Sequence, residues 1–163
     1  MPPDAYQFRP VAPEDLPMVR RWLTTPEVVT WWGDPDEQFA LVSGDLDNPA
    51  MDQLIVAADD RPFGYLQSYY LDEWPDEAFR ALPSGTRAID QFIGEPDMIG
   101  HGHGSAFIRA LVDRLLASGA PCVITDPDLD NARAIRAYEK AGFNRHGVVT
   151  TLEGPALLMV RNA

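Results

Sequence analysis

Ile99-Gly100-His101-Gly102-His103-Gly104-Ser105 is followed, further along this 163-residue chain, by Asn131-Ala132-Arg133-Ala134-Ile135-Arg136-Ala137-Tyr138-Glu139-Lys140-Ala141-Gly142-Phe143. The first stretch alternates three glycines with other residues and opens onto an amphipathic run from Gly104 to Ser118. There Phe107, Leu111 and Leu115, with Ile108, Val112 and Leu116 beside them, form one helix face. The first N–H groups of a helix have no partner within it, and the helix dipole favours negative charge at that end. Glycine lets backbone approach a ligand closely, so the loop reads as an anion cradle. The second stretch sets Tyr138 on another helix, which Ala141-Gly142 stops. Asn131, at the start of that helix, is placed either to cap it or to contact a ligand.

Working outward, the segments before and between these two alternate strands with helices. Tyr6 to Val11 alternates as a strand does, and Pro13-Glu14-Asp15 then opens a helix carrying Leu16, Val19, Trp22 and Leu23 at helical spacing. Short helices are expected over 26–31 and 35–46. Residues 53–58 and 63–70 read as two strands joined through Asp59-Asp60-Arg61-Pro62. Residues 72–85, polar and punctuated by proline, read as a surface loop. Thr86 to Ile93 is a strand leading into the glycines, Cys122 to Thr125 a short buried strand, and 143–151 and 156–161 closing strands. The order predicts a mixed sheet in an α/β (α+β) domain. No repeat or long linker divides it, so a single domain over 1–163 is expected, large enough to bury a core.

Composition narrows the partners. Residues 1–100 hold 19 acidic side chains against 6 basic ones, whereas residues 101–163 hold 6 against 7. The acidic first part repels nucleic acid and anionic membrane and attracts polycations. The nearly neutral remainder is where an anionic cofactor meets less repulsion. No apolar run reaches membrane-spanning length, and Met1-Pro2-Pro3-Asp4-Ala5-Tyr6 does not resemble a secretory leader. The lone Cys122 excludes an internal disulfide, in keeping with a cytoplasmic location. His101 and His103 have no carboxylate or cysteine at ligand spacing, so no metal is expected.

The glycine loop followed by the tyrosine helix resembles the acetyl-coenzyme A signature of the GNAT N-acetyltransferase superfamily. Gly64-Tyr65-Leu66-Gln67-Ser68-Tyr69, Ala88-Ile89-Asp90-Gln91, Thr125-Asp126-Pro127 and Gly154-Pro155-Ala156 further resemble its aminoglycoside 6'-N-acetyltransferase branch. The resemblance runs from Phe8 to Val160. It departs from the pattern at Ile99, where a basic or amide residue usually precedes the glycines, and at Glu153, where the pattern has aspartate. It implies a mostly antiparallel sheet with splayed parallel strands flanked by helices, acetyl-CoA as co-substrate, and a small cationic amine as acceptor. The implied state is a monomer or homodimer.

Acetyl transfer from a thioester to an amine requires a deprotonated amine, a stabilised oxyanion and a protonated leaving thiolate. No nucleophile with a neighbouring base is visible, which favours direct attack in a ternary complex. By the resemblance, Asp90 is the general base or amine-positioning carboxylate, acting directly or through water, and Tyr138 the general acid. Phe92, Ile93 and Gly94 would hold pantetheine through their backbone. Gly100, His101, Gly102, His103, Gly104, Ser105 and Asn131 would hold the rest of the cofactor. The acceptor contacts implied are Trp32, Tyr65, Gln67, Asp72, Trp74, Asp126 and Glu153, carboxylates for ammonium groups and aromatic faces for rings. Two rival readings share much of this pattern: a siderophore-precursor (hydroxylysine-type) N-acyltransferase, and a non-catalytic acyl-CoA-binding module.

Overall fold

Asp59 and Asp60 both adopt positive φ (49° and 64°), which closes β2 (Met51–Ala58) onto β3 (Arg61–Tyr70) through a two-residue turn. Such a turn matches the right-handed twist of the strands it joins, and aspartate tolerates the left-handed region better than most residues. This hairpin belongs to a computed structural model that describes residues 5–163. The leader reading above concerns Met1–Asp4 in part, which lie outside the described residues.

Seven strands form one sheet in the order β1-β2-β3-β4-β5-β7-β6, with β1 Tyr6–Pro10, β4 Arg87–Ile93, β5 Cys122–Thr125, β6 Asn144–Thr151 and β7 Gly154–Asn162. The sheet is mostly antiparallel; its parallel pair is β4 with β5. That pairing covers only Arg87↔Val123 and Ala88↔Ile124, after which the Thr125 hydroxyl donates to the Ile89 carbonyl (3.3 Å) and β4 continues to Ile93. On its other edge β5 pairs antiparallel with β7 along its whole length. The mixed sheet with one short parallel pair is the expected architecture.

Among the described residues five α-helices accompany the strands: α1 Leu16–Leu23, α2 Pro26–Trp32, α3 Pro35–Gly44, α4 His103–Ala117 and α5 Ala132–Lys140. Their starts follow from local chemistry. Pro35 occupies the first turn of α3, where its missing N–H costs nothing, and the Asp34 carboxylate accepts from the Asp36 and Glu37 amides (2.8 and 3.3 Å). Asn131 caps α5, its side-chain oxygen accepting from the Ala134 N–H (3.2 Å). Helix α3 ends at Gly44, short of Leu46, with the Asp45 amide donating back to the Leu41 and Val42 carbonyls as its C-cap.

The chain forms two compact units. The first runs to Ser68 and resumes over Asp90–Gly104; the second comprises Tyr69–Ile89 and Ser105–Ala163. In the first, α1, α2 and α3 bury Val19, Trp22, Leu23, Val28 and Val42 around Ile55, Tyr65 and Phe92 of the strands. In the second, Ala88, Cys122, Ile124, Leu158 and Val160 make a core of strand residues beneath Leu71. Cys122 is buried there against the Thr86 hydroxyl (3.3 Å), a structural position. Among the described residues no helix is long and apolar enough to cross a membrane.

Candidate active site

Asp90 lies two residues beyond the stretch of β4 paired with β5 and is half-buried in the first unit. Its Oδ2 accepts from the Gln67 side-chain amide at 2.9 Å. Gln67 in turn accepts from the Tyr65 hydroxyl at 2.8 Å. Tyr65 has no exposed surface and stacks on Phe92 (ring centroids 5.3 Å apart, 24° between planes). Burial holds its phenol well above the ordinary value, so it remains an O–H donor. Trp32, half-buried, stands edge-on to Phe92 (5.1 Å) and to Tyr65 (6.2 Å). Of the expected acceptor contacts, Gln67 bonds Asp90, Tyr65 bonds Gln67, and Trp32 packs edge-on to Tyr65. Tyr65 is enclosed, its hydroxyl taken up by Gln67 and by Gln53.

Past Asp90 the strand delivers Phe92, Ile93 and Gly94 towards the glycine loop. Gly94 is wedged against the Trp22 ring, and its N–H donates to the Phe63 carbonyl (2.7 Å). Of these three backbone amides, Gly94's is thus already committed. The next residue, Glu95, is clamped: its carboxylate accepts from the Trp22 indole N–H (2.5 Å) and from Arg21 (2.8 Å). The indole bond foremost, with Arg21 and Arg61 adding to it, holds the Glu95 carboxyl below its usual range. Arg61 also makes a two-pronged pair with Asp97 (2.8 Å twice). Sequence reasoning passed over this anchor, because Glu95 is separated from Trp22 by more than half of the first unit's chain.

Two glycines shape the loop that follows. Gly100 and Gly102 have φ of +81° and +82°, conformations costly for other residues, and a methyl group added at either would meet nothing within 4 Å. Helix α4 starts immediately afterwards, at His103, so the loop leads into a helix N-terminus. His103 is already helical, and its imidazole packs against the Phe63 and Tyr6 rings while sharing a 2.9 Å hydrogen bond with the Tyr6 hydroxyl. Its side chain is a strut under the loop. His101 is exposed, and Gly104 lies within the helix without positive φ. Among the described residues no group of three or more His, Cys, Asp or Glu side chains is arranged to hold a metal.

The second unit carries the remaining candidates. Tyr138 is 4% exposed and packs edge-on against Phe143 (5.5 Å). The Asn131 side-chain oxygen is used in the helix cap, which is the structural half of its two readings. In the 72–85 segment Asp72 folds onto its own loop, accepting from the Ser84 hydroxyl (3.2 Å) and the Gly85 amide (2.9 Å), while Trp74 packs on Tyr69 (5.0 Å). Asp76 tethers this segment to the β6–β7 turn through the Leu152 amide (3.1 Å). That turn carries Glu153, exposed, beside Gly154 at φ +117°. Asp126 is half-buried just past the end of β5, and Ser105 lies in the first turn of α4.

These positions can be set beside known proteins. A family model for the acetyltransferase (GNAT) domain matches residues 12–151. The chain belongs to the GNAT acetyltransferase family. It is 37% identical to an aminoglycoside N(6')-acetyltransferase type 1 of Klebsiella pneumoniae, over 97% of this chain and 83% of that protein. Among solved structures, it superposes on aminoglycoside acetyltransferase AAC(6')-Ib bound to coenzyme A and kanamycin with a TM-score of 0.84, at 33% identity and covering 96% and 94% of the two chains. The same enzyme bound to paromomycin and acetyl-CoA gives 0.85 at 34% identity, over 98% and 94%. The glycine loop and the tyrosine helix both fall within the matched residues.

Proposed function

We propose that this GNAT enzyme transfers acetyl from acetyl-CoA to the 6'-amine of an aminoglycoside, directly and within a ternary complex. The observation that carries the reading is Asp90: a carboxylate half-buried in a strand and bonded by the Gln67 amide, which in turn accepts from the buried Tyr65 hydroxyl. A charged group in such a strand needs a cationic partner or a purpose in chemistry. Its likeness over nearly the whole chain to enzymes named for 6'-acetylation supports the substrate class.

In this reading acetyl-CoA supplies an activated acyl thioester. Asp90 orients the acceptor ammonium and receives its proton, directly or through water. Tyr138 returns a proton to the leaving sulfur, a phenol pKa near 10 being suited to a thiol. The backbone of Phe92 and Ile93 lines the pantetheine path, and the Gly100–Gly102 loop with the start of α4, from His103 to Ser105, holds phosphate. Asp72, Asp126 and Glu153 supply negative charge for the remaining ammonium groups, and Trp32 and Trp74 supply ring faces. The acidic first hundred residues raise the local concentration of a polycation.

Thiol release from acetyl-CoA tests this, with kanamycin and tobramycin set against spermidine and N6-hydroxylysine. Turnover confined to the aminoglycosides, with mass spectrometry locating the acetyl on the 6'-nitrogen, is the expected result. Turnover on hydroxylysine alone would move the protein to the siderophore-type reading. Cofactor binding without turnover on any amine would make it a non-catalytic module.

A further inference from the structure

Gln53 heads a buried hydrogen-bond chain that ends on Asp90. Its side-chain nitrogen donates to the Val42 carbonyl (2.9 Å) and to the Tyr65 oxygen (3.2 Å). Tyr65 donates to Gln67 Oε1 (2.8 Å), and Gln67 Nε2 donates to Asp90 Oδ2 (2.9 Å). The direction of the chain is set at its far end. A backbone carbonyl can only accept, so Gln53 must present nitrogen to Val42, and the second N–H of that group engages the Tyr65 oxygen. The tyrosine proton then goes to Gln67, which takes it on its carbonyl oxygen and so turns its NH2 to the aspartate. Reversing the Gln67 amide would set its carbonyl oxygen against a carboxylate.

We propose that Gln53 and Tyr65 are positioning residues for acetyl transfer, fixing the Gln67 amide and through it the orientation of the Asp90 carboxylate. The proposal rests on the reading of Asp90 as the amine-side carboxylate. Gln53 and Tyr65 are 7% and 0% exposed, so neither reaches an acceptor itself. Only one strand position in β2 spends a buried site on an amide, which has no packing advantage over the Leu and Ile that follow it. A satisfied buried polar network specifies one arrangement of its members, whereas an apolar substitute would leave Gln67 free to rotate. The charged groups bearing on Tyr65 are Asp90 itself and Asp45 beyond the end of α3.

Steady-state kinetics of wild type, Tyr65→Phe, Gln53→Leu, Asp90→Asn and the Tyr65→Phe/Asp90→Asn double variant test this. Phenylalanine keeps the ring stacked on Phe92 and removes only the hydroxyl. The expected result is a roughly tenfold loss of kcat in Tyr65→Phe, with both KM values within about twofold of wild type. In the Asp90→Asn background the same change should cost less than about twofold, because the group it positions is already gone. A Tyr65→Phe enzyme with full kcat, a loss confined to KM, or losses that multiply in the double variant would overturn the proposal. An unchanged rate in Asp90→Asn would instead remove the reading of Asp90, and the proposal with it. Should Tyr65→Phe not fold, Gln53→Leu carries the same comparison, again alone and with Asp90→Asn.

Discussion

Replacing Gly94 by alanine puts one methyl group where the structure has no room. The new Cβ would lie 2.1 Å from Trp22 Cγ, 2.4 Å from Cδ2 and 2.6 Å from Cβ. Reaching ordinary contact at 3.4 Å requires a displacement of about 1.3 Å. Neither side yields easily. Trp22 is completely buried, edge-on to Phe92 (6.2 Å), and its indole N–H is held by Glu95. On the other side the Gly94 amide is bonded to Phe63 at 2.7 Å. Overpacking of a filled core costs about 1–3 kcal/mol, and a site pinned from both sides belongs at the upper end. For a chain of this size about 3 kcal/mol lowers Tm by roughly 6–12 °C. Far-UV circular dichroism during a thermal ramp would measure it. A Gly94→Ala protein melting within about 2 °C of wild type would refute the reasoning, since the clash would then relax without cost.

Gly104→Ala should act in the opposite direction. That glycine lies inside α4, with Ile93 Cδ1 3.9 Å from an added Cβ, so helix propensity should raise stability by about 0.5–1 kcal/mol in a denaturant titration; a loss of stability would contradict this. Tyr138→Phe should slow turnover roughly tenfold or more while leaving the Kd for acetyl-CoA, read by calorimetry, nearly intact; a pure affinity loss would reassign the hydroxyl to binding. Stability should fall as the pH drops below the ordinary Glu95 value of 4.5, because the folded state holds this carboxyl below that value and the stabilisation is lost on protonation. Glu95→Gln, compared by urea unfolding between neutral and acidic pH, should flatten the acid slope; an identical slope would exclude Glu95 as a source of it.

How far the sequence reaches is clearest at the glycines. The Ile99–Ser105 motif, the strand before it and the Tyr138 helix after it follow from periodicity, caps and turn residues, all of which act over a few positions. Other local readings hold in part: Asn131, read as cap or ligand contact, caps α5; the Asp59–Pro62 turn is made by Asp59-Asp60, with Arg61 and Pro62 already in β3; and on the α4 face Phe107, Ile108, Leu111 and Val112 are buried but Leu115 and Leu116 only half-buried. Such signals gave the elements to within a residue or two, while the family came from the resemblance of the glycine loop and the tyrosine helix to a known signature. Which glycine does what was not local. Gly100 and Gly102 take positive φ, Gly104 is an ordinary helix residue, and Gly94, outside the motif, is the one with no space for a side chain.

The same division holds for the candidate site. The chain by itself determined that a strand carboxylate, Asp90, precedes the glycine loop, because strand pattern and spacing suffice for that. Only the tertiary structure decided that Tyr65 is enclosed, that Gln53 and Val42 set the direction of a hydrogen-bond chain to Asp90, and that His103 is a strut bonded to Tyr6. The physical reason is common to all three. Whether a polar side chain meets ligand, solvent or another buried group depends on packing between residues remote in sequence, and no local preference for helix, strand or turn encodes it.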